Sequence, residues 1–355
     1  MNNYKLRELK IEVNRHCPLA CLHCSSSGES SSMLFLDAHR VESLVTEFAE
    51  MGGRKICISG GEPLTYADIK LVLTKATDKD LDVSLYTTGI MEKRGVLQAL
   101  SEDMAAFLAG KRIRTIFSLH GANADSHEWI TRVNGSFNLT ISALNTAKRH
   151  GVNSEVHVVP HAGNIGELFD IGQLVDSMGV RKMSWLRFVP QGRGAFNRDM
   201  LQLSAKNFRT LCDKKNRIAA EFPNLMVRAG APFNIICPEN PSSCEAGLNV
   251  LTINPDGTVA PCDAFKRFEF VDPFRNVRDH SLEEIWNKSI LLQTVRQAHD
   301  EINFTCITCH QYSKCKSGCL AQKAIKAGTI CGGKDPDCLI SQKTAVRSDD
   351  KAVAI

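Results

Sequence analysis

Three cysteines lie close together near the N-terminus, in the stretch NRHCPLACLHCSSSG. Cys17, Cys21 and Cys24 fall within eight positions of one another. Thiolates bind zinc and iron–sulfur clusters, but a zinc site normally takes four protein ligands and this stretch offers three thiols. Three thiolates on a [4Fe–4S] cubane would leave one iron open to a small molecule. A zinc site completed by His16 or His23, or a set of buried reduced thiols, are the alternatives.

Most other cysteines are found at the opposite end of the chain. Of the fourteen, nine follow residue 236, and only Cys57 and Cys212 lie between the two groups. The N-terminus MNNYKLRELKIEV has no apolar signal segment, and no stretch reaches the roughly 20 apolar residues of a membrane span. We therefore expect a cytoplasmic protein with no membrane partner, in which the clustered thiols are metal ligands and not disulfides.

The composition is typical of an ordinary globular protein. The 355 residues, 43% of them hydrophobic, suffice for two domains or for one large α/β body with an appendage. The net charge of +4 comes from scattered lysines and arginines. No nucleic-acid partner is indicated by this distribution, whereas an anionic cofactor or substrate would suit it.

Alternating strand and helix patterns must position the first cysteine group. Strands are predicted in LRELKIEV, KICIS, LDVSLYTTG, IRTIFSLHG, SEVHVVP and KMSWLRFVP, with helices between them, one of them in GVLQALSEDMAAFLAG. This alternation predicts right-handed crossovers and a parallel sheet up to about residue 195. Ligands of such folds bind at the carboxyl ends of the strands. The site should therefore gather the cysteine loop and the segments SGGEP, YTTG, SLHG, VVPH and RFVPQGRG.

The spacing C-x3-C-x2-C at the end of the first strand, followed by SGGEP after the second, resembles the radical S-adenosylmethionine (SAM) superfamily. The resemblance implies an α/β fold, a partial (β/α)6 barrel, in which Cys17, Cys21 and Cys24 hold a [4Fe–4S] cluster. The open iron would chelate the methionine part of SAM. Reductive cleavage of SAM would then give a 5′-deoxyadenosyl radical that abstracts a hydrogen atom from the substrate.

The same resemblance implies residues that contact SAM. A motif after the second strand would receive the SAM amino group through backbone carbonyls and a carboxylate, and it consists of Gly60, Gly61, Glu62 and Pro63. Thr88 and Ser118 stand where the family contacts the ribose or the carboxylate, and Arg132 resembles an arginine near the SAM carboxylate. Ordinary turn residues and a solvated helix arginine are the alternatives. His120 and His161 end strands on the same rim, where we interpret them as satisfied polar groups.

The second cysteine group matches the seven-cysteine SPASM domain in its spacings. CEAGLNVLTINPDGTVAPC reads C-x12-G-x4-C, and CITCHQYSKCKSGC reads C-x2-C-x5-C-x3-C, with a last cysteine in DPDC. The resemblance implies two auxiliary [4Fe–4S] clusters, the first held by Cys244, Cys262 and Cys319 and the second by Cys306, Cys309, Cys315 and Cys338. Cys237 would complete the first cluster unless its iron stays open, and Cys331 competes with Cys338. A structural zinc ribbon is the alternative.

Auxiliary clusters would have a redox purpose in such an enzyme. Hydrogen-atom removal leaves a substrate radical, and an oxidised closed-shell product forms only when a further electron leaves, usually with a proton. Cluster potentials span about −700 to +450 mV, so a chain of clusters can accept that electron. Asp263, directly after Cys262, stands where some relatives have a carboxylate proposed to accept the proton. A supporting role at the surface or beside a ligand is the alternative.

The two resemblances divide the chain into parts. We predict a radical SAM partial barrel over residues 1–200, a helical linker over 201–236, a SPASM auxiliary-cluster domain over 237–342 and a flexible tail over 343–355. A low-potential electron donor such as flavodoxin or ferredoxin would be a partner. Only about six residues precede the first strand, so a leader-binding domain would be a separate protein.

The substrate is the least specified part of the prediction. SPASM proteins commonly modify a ribosomally made peptide, and a smaller group acts on sugars, nucleosides or aminoglycosides. Arg187, Gln191 and Arg193 follow the last predicted strand, where arginine forks would suit a carboxylate or phosphate. We therefore expect an oxidoreductase acting on a small polar metabolite, with maturation of a peptide as the alternative. A non-catalytic, zinc-binding interaction protein is the alternative of another class.

Overall fold

The computed structural model of the chain describes residues 4–237, 243–301, 306–330 and 333–339. Its strands, in chain order, are β1 (Glu8–Glu12), β2 (Lys55–Ser59), β3 (Asp82–Thr87), β4 (Ile90–Lys93), β5 (Val96–Ala99), β6 (Arg114–Ser118), β7 (Ser154–Val158), β8 (Lys182–Trp185), β9 (Met226–Ala229), β10 (Val250–Ile253) and β11 (Val259–Ala260).

Helices pack on the outside of these strands. In chain order they are α1 (Ala38–Glu50), α2 (Ile69–Asp78), α3 (Glu102–Gly110), α4 (Ala124–Thr131), α5 (Ser136–Arg149), α6 (Leu168–Ser177), α7 (Arg193–Phe196), α8 (Arg198–Leu201), α9 (Ala205–Arg209), α10 (Leu211–Glu221), α11 (Leu282–Lys288), α12 (Ile290–Asp300), α13 (Tyr312–Cys315) and α14 (Leu320–Ala327). Short 3-10 turns occur at Pro63–Thr65, Ala231–Phe233 and Asp263–Phe265.

One sheet joins strands from all parts of the chain, in the order β11-β10-β1-β2-β3-β6-β7-β8-β9. The six predicted strands form and pair in parallel, β1 to β2 to β3 to β6 to β7 to β8, which confirms the predicted fold class. Two further parallel strands extend the sheet, β9 beside β8 and β10 beside β1. Strands from the linker region and from the second cysteine region therefore complete the two edges.

The two faces of the barrel sheet differ in polarity. In β1, Leu9 and Ile11 are fully buried in the main core, while the alternating Lys10 bonds inward to a polar partner. In β7, Val156 and Val158 likewise join the core. Because successive side chains of a strand point to opposite faces, the apolar set packs against the helices and the polar set faces the barrel interior. The sequence alternation thus produces an interior lined with polar groups.

One predicted helix forms only in its second half. The segment GVLQALSEDMAAFLAG begins with strand β5, which pairs with β4 in an antiparallel hairpin, and only then enters α3. Arg94 and Gly95 both have positive φ, 53° and 77°, as a two-residue type I′ turn requires. Ser101 then accepts a hydrogen bond from the Met104 N–H and starts α3. The prediction of one continuous helix was wrong because the turn signal precedes the helical pattern.

The other predicted helices form, and residues 204–222 of the predicted linker contain α9 and α10. Met226–Ala229, also in the predicted linker, form strand β9 of the barrel sheet, and the domain boundaries stay a prediction. Prediction missed α4, whose N-terminus is capped by the Asn123 side chain through the Ser126 N–H. In the part of the chain that the structure describes, no helix is both long and apolar enough to cross a bilayer. The predicted tail over 343–355 lies outside the described residues.

Candidate active site

The loop that carries the first three cysteines, residues 15–28, leaves the end of β1 and is held from two sides. On one side, the Ala20 and Leu22 N–H groups donate to carbonyls at the end of α4, with N···O distances of 3.0 and 2.8 Å. On the other side, the Arg193 N–H donates to the Cys24 carbonyl at 3.0 Å. We call these residues the cysteine loop. Its backbone is therefore fixed by elements that are distant in sequence.

Glycines let the end of β2 approach the start of the cysteine loop. A Cβ at Gly60 would lie 2.3 Å from Asn14 Oδ1, and a Cβ at Gly61 would lie 2.3 Å from the His16 carbonyl oxygen. Both distances are shorter than real contacts, so neither position accepts a side chain without movement of the backbone. The Gly61 N–H donates to the Asn14 carbonyl at 2.7 Å. The glycines of SGGEP are thus required by a close approach of two strand ends.

The Glu62 carboxylate holds the end of β3. It is fully buried and accepts four hydrogen bonds, from Thr87 Oγ1 (2.6 Å), the Thr88 N–H (2.7 Å), Thr88 Oγ1 (2.6 Å) and the Leu64 N–H (3.0 Å). Burial raises the pKa of Glu62 above its ordinary value, while these hydrogen bonds act in the opposite direction. Four bonds fill the acceptor sites of a carboxylate. The contact of this motif with the SAM amino group, through the Glu62 carboxylate and the backbone carbonyls, stays a prediction.

The other predicted SAM residues differ in their environments. Thr88 donates its hydroxyl hydrogen to Glu62, and its role toward the ribose stays a prediction. Ser118, at the end of β6, is half-buried, and its side chain forms no hydrogen bond with the described residues. Arg132 caps α4 in the left-handed conformation at φ 62°, is exposed, and lies beside the cysteine loop. Ser118 and Arg132 keep polar groups available at the rim.

The cysteine loop brings its three thiols together. Burial raises the pKa of Cys17 well above its ordinary value, and the thiols of Cys21 and Cys24 and the Glu62 carboxylate add to this. Burial also raises the pKa of Cys21 to about 12, with Cys24 acting in the same direction. Buried thiols that disfavour one another's ionisation in this way are chemically suited to a cation that takes thiolate ligands.

The first predicted auxiliary group also converges. Cys244, Cys262 and Cys319 pack together in a small core with Phe265 and the start of α14. Burial raises the pKa of Cys262, and Cys244 and Cys319 contribute in the same direction. The turn NPDG between β10 and β11 makes this meeting feasible, because the Gly257 N–H donates to the Asn254 carbonyl at 2.9 Å and reverses the chain.

The second predicted auxiliary group surrounds a small pocket. All four predicted thiols line it: Cys306, Cys309, Cys315 and Cys338. The described cysteines form no disulfide with one another. A cavity with four thiols, and two further groups of three, have the donor chemistry of iron–sulfur clusters. Among the described residues, no His, Cys, Asp or Glu side chains group closely enough to hold a single metal ion.

Two cysteines of the prediction are less defined. Cys237 is buried at the end of the turn that follows the 3-10 helix Ala231–Phe233. The residues that link it to Cys244 include 238–242, which lie outside the described part of the chain, as does Cys331. Their roles as ligands stay predictions.

Asp263 faces the barrel interior and is paired. Its carboxylate accepts hydrogen bonds from Lys10 Nζ at 2.6 Å and from Thr252 Oγ1 at 3.2 Å. Although burial favours the neutral acid, Lys10 and Lys266 hold the pKa of Asp263 down to about 2. Protein surrounds the side chain, yet 48% of its surface is accessible, so it borders an internal space. Asp263 is therefore a charged group in that space and a weak base while Lys10 is bound.

The residues predicted to bind substrate are engaged by the protein. The Arg187 guanidinium is buried and paired with Asp335 and Asp337. Gln191 donates to the Asp263 carbonyl at 2.7 Å and accepts from the Arg267 N–H at 3.2 Å. Arg193 donates to the carbonyls of Cys21 at 3.0 Å and Gly28 at 2.6 Å. In the structure these three side chains connect β8, the cysteine loop and the second cysteine region, and their roles toward substrate stay predictions.

Three buried histidines, His120, His127 and His161, lie beside His23 of the cysteine loop, which is half-buried. The ring centroids of His23 and His120 are 4.4 Å apart. Burial lowers the pKa of His127 and His161 to about 4. Their Nδ1 atoms accept N–H groups of His120 and Gly163, so Nε2 carries the proton and cannot ligate a metal. His16 pairs with Glu92 at 3.0 Å. Neither His16 nor His23 groups with the three thiols closely enough to hold a single metal ion among the described residues.

Sequence reasoning missed a buried ion pair that joins three parts of the chain. Lys266 Nζ donates to Glu12 Oε1 at 2.6 Å and to Ser26 Oγ at 2.9 Å. Glu12 ends β1, Ser26 belongs to the cysteine loop, and Lys266 follows the Cys262 turn. The alternation of polar residues in β1 was the available signal, but nothing in the sequence specified the partner.

Comparison with known proteins accords with this geometry. Residues 11–171 match the radical SAM superfamily, and residues 244–315 match SPASM, an iron-sulfur cluster-binding domain. The chain is 28% identical over 342 residues to the mycofactocin maturase MftC of Mycolicibacterium smegmatis, covering 93% of this chain and 82% of that protein. It is 26% identical over 343 residues to the PqqA peptide cyclase of Methylobacterium nodulans, covering 94% of this chain and 86% of that protein.

Solved structures share the fold. SuiB of Streptococcus suis, bound to the precursor peptide SuiA, superposes with a TM-score of 0.77 at 18% identity, over 95% of this chain and 76% of SuiB. A barrel sheet with a three-cysteine loop at one rim and a cysteine-rich C-terminal region defines an iron–sulfur enzyme. The chain belongs to the radical SAM enzymes with a C-terminal SPASM domain, and its cofactors are SAM and [4Fe–4S] clusters.

Proposed function

We propose that this enzyme modifies a ribosomally made peptide, forming a crosslink or oxidising a side chain. The observation that carries the proposal is similarity along nearly the whole chain to a peptide cyclase and to a maturase. The earlier expectation of a small polar metabolite depended on Arg187, Gln191 and Arg193. Those side chains are bound to other parts of the protein, and the names of the similar proteins favour a peptide substrate.

The proposal assigns the cofactors to the thiol groups described above. Cys17, Cys21 and Cys24 would hold the cluster that binds SAM, and the two later groups would hold the auxiliary clusters, with Cys237 as a candidate ligand. When bound, the first cluster and SAM together supply the 5′-deoxyadenosyl radical that removes a hydrogen atom from the substrate. Gly60 and Gly61 would offer backbone carbonyls to SAM, and Ser118 and Arg132 would offer polar groups.

The interior of the barrel would receive the peptide side chain. Lys10 and Asp263 border the internal space with opposite charges, so they can orient a polar group of the substrate. Asp263 would be a weak proton acceptor while its carboxylate is paired with Lys10. A low-potential donor such as flavodoxin or ferredoxin would supply electrons, a separate protein could bind a leader sequence, and the thiol-rich sites fit the reducing cytoplasm.

Mass spectrometry of candidate substrates tests the proposal. The anaerobically reconstituted enzyme, SAM and dithionite are incubated with short peptides encoded beside its gene, and in parallel with sugars, nucleosides and aminoglycosides. We expect a peptide to lose two hydrogens or gain a crosslink, with 5′-deoxyadenosine formed. The variant in which Cys17, Cys21 and Cys24 are all changed to Ala should neither modify a peptide nor form 5′-deoxyadenosine.

Two results would contradict the proposal. Modification of a small metabolite, with every peptide unchanged, would restore the earlier expectation. Reductive SAM cleavage by the triple variant would refute the assignment of the first cluster. A colourless zinc protein in place of a brown one with about 12 irons would support the interaction-protein alternative.

A further inference from the structure

A buried ion pair connects the last barrel strand to the second cysteine region. Arg187 follows β8, and its side chain is only 4% exposed, while that of its partner Asp335 is 1% exposed. The guanidinium donates to both carboxylate oxygens of Asp335, at 2.8 and 2.5 Å, and to Asp337 at 2.7 Å. This two-pronged geometry is the strongest form of an arginine–carboxylate contact.

Asp335 lies between the two groups of auxiliary thiols. Its Oδ2 accepts the Cys319 N–H at 2.8 Å, and Cys319 belongs to the first auxiliary group. The same residue lines the cavity of the second group, where it interacts electrostatically with Cys315. Arg187 in turn interacts electrostatically with Cys319. A positive and a negative charge are therefore buried at the junction of the two groups.

Close packing fixes this position. Gly318, with φ 89°, lies directly under the Asp335 side chain, and a Cβ there would be 2.3 Å from it. Asp335 Oδ1 also accepts the Asp337 N–H at 3.0 Å, which sets the turn before Cys338. The carboxylate therefore has one orientation relative to the thiols on either side. Fixed charges in a dry environment act strongly on neighbouring redox groups.

We propose that Arg187 and Asp335 are positioning residues that set the reduction potentials of the two auxiliary clusters, acting through their fixed opposite charges. Reduction adds one negative charge to a cluster, so the guanidinium favours the reduced form and the carboxylate disfavours it. The balance between these charges determines how readily the clusters accept an electron. This inference concerns the auxiliary clusters alone and does not depend on the class of substrate.

A redox titration of the full-length, reconstituted enzyme followed by electron paramagnetic resonance tests the proposal. SAM is included, because the signals that SAM does not alter belong to the auxiliary clusters. We expect Arg187→Gln to shift the auxiliary midpoint potentials to lower values and Asp335→Asn to shift them to higher values. Arg187→Lys keeps the positive charge, so its auxiliary midpoint potentials should stay near those of the unaltered enzyme.

The opposite signs separate this role from simple support of the fold. A purely structural role predicts that both variants loosen the same contact and lose iron to the same extent, with potentials of the remaining clusters moving together or not at all. Iron content and thermal unfolding are measured on each variant. Shifts of the same sign, unchanged potentials, or loss of both auxiliary signals in all three variants would overturn the proposal.

Arg40 provides a matched control. It also joins the barrel to the second region, with hydrogen bonds to the Val277 and His280 carbonyls and an ion pair with Glu47 at 2.6 Å. None of these partners is a thiol group. Arg40→Gln should therefore lower the unfolding temperature while leaving the auxiliary potentials unchanged, and an equal shift in this variant would contradict the proposal.

Discussion

At the scale of single residues, the buried carboxylate of Glu62 governs how the ends of β2 and β3 meet. The carboxylate only accepts: two hydroxyls and two backbone N–H groups donate its four hydrogen bonds. A group with only acceptor atoms satisfies that environment, and an amide does not, because its NH2 would face a donor. The rim where SAM is expected to bind depends on this match.

We therefore expect Glu62→Gln to weaken SAM binding. An unsatisfied buried donor costs about 1–3 kcal/mol, and because the displaced turn is expected to carry SAM contacts, this corresponds to roughly a fivefold to 150-fold loss of affinity. Equilibrium binding of SAM to the reconstituted enzyme measures the effect. Glu92→Gln, at a carboxylate bonded to His16 at 3.0 Å, is the nearby control. Unaltered affinity in Glu62→Gln would show that the turn plays no part in binding.

Single residues also mark where prediction from sequence succeeded and failed. The cysteines could be grouped from spacing, because cluster ligation requires fixed residue types in a fixed order. The partners of Arg187 and Arg193 could not be predicted from the sequence. An arginine that binds substrate and one that binds a distant carbonyl or carboxylate look identical in sequence. Burial and charge pairing across about 150 positions, as between Arg187 and Asp335, depend on the folded chain.

At the scale of elements, the close approach of β1 and β2 creates the rim of the site. The six barrel strands could be predicted from alternation, and their order follows from right-handed crossovers. The hairpin β4–β5 could not be predicted in this way, since the short strand β5 directly precedes the strong helical pattern of α3. The addition of β9 and β10 to the edges was also unpredictable, because pairing of distant strands depends on tertiary structure and not on local pattern.

The tight contact at Gly61 gives an element-scale prediction. Gly61→Ala would place a Cβ 2.3 Å from the His16 carbonyl oxygen and 2.4 Å from that of Arg15. The strand end must move away, so we expect loss of about four irons, those of the first cluster, with the auxiliary clusters retained. Iron analysis and SAM cleavage measure this.

Gly110→Ala is the matched control for that variant. Gly110 ends α3, and a Cβ at this position would have no atom of another described element within 4 Å. Alanine is also a better helix former, so this variant should keep all its iron and be neutral or slightly more stable. If both variants retained full iron and activity, the strand approach would not limit cluster assembly.

At the scale of the whole molecule, the barrel and the second cysteine region are joined by buried charges. The Lys266 and Glu12 side chains are 8% and 5% exposed, and Ser26 of the cysteine loop shares the contact. Breaking a buried pair leaves one charge without a partner, which costs about 3–5 kcal/mol. The two regions should therefore unfold together.

Lys266→Met tests this coupling. We expect the free energy of unfolding of the apo protein to fall by about 3–5 kcal/mol in denaturant titrations. Although burial opposes the charge, Glu12 and Asp263 raise the pKa of Lys266 above its ordinary value of 10.5. Its contribution is therefore complete below pH 10.5 and lost as the pH rises further, so the difference should be constant between about pH 7 and 9.

An exposed lysine serves as the comparison. Lys288 pairs with Glu284 at 3.0 Å on the surface of α11. Lys288→Met should change stability by less than about 1 kcal/mol, because water screens an exposed pair. Equal losses in the two lysine variants would mean that the buried pair does not couple the regions.

The pairing of β1 with β10 has a consequence for synthesis of the chain. Glu8 pairs with Val250 and Ile11 with Ile253, so the strand that leads into the cysteine loop meets its outer neighbour about 240 residues later. At about 5–20 residues per second, the ribosome needs roughly 12–50 s to make that span. Through this interval one edge of β1 lacks its partner, so a nascent chain would need protection against edge-to-edge association before the first cluster could be inserted.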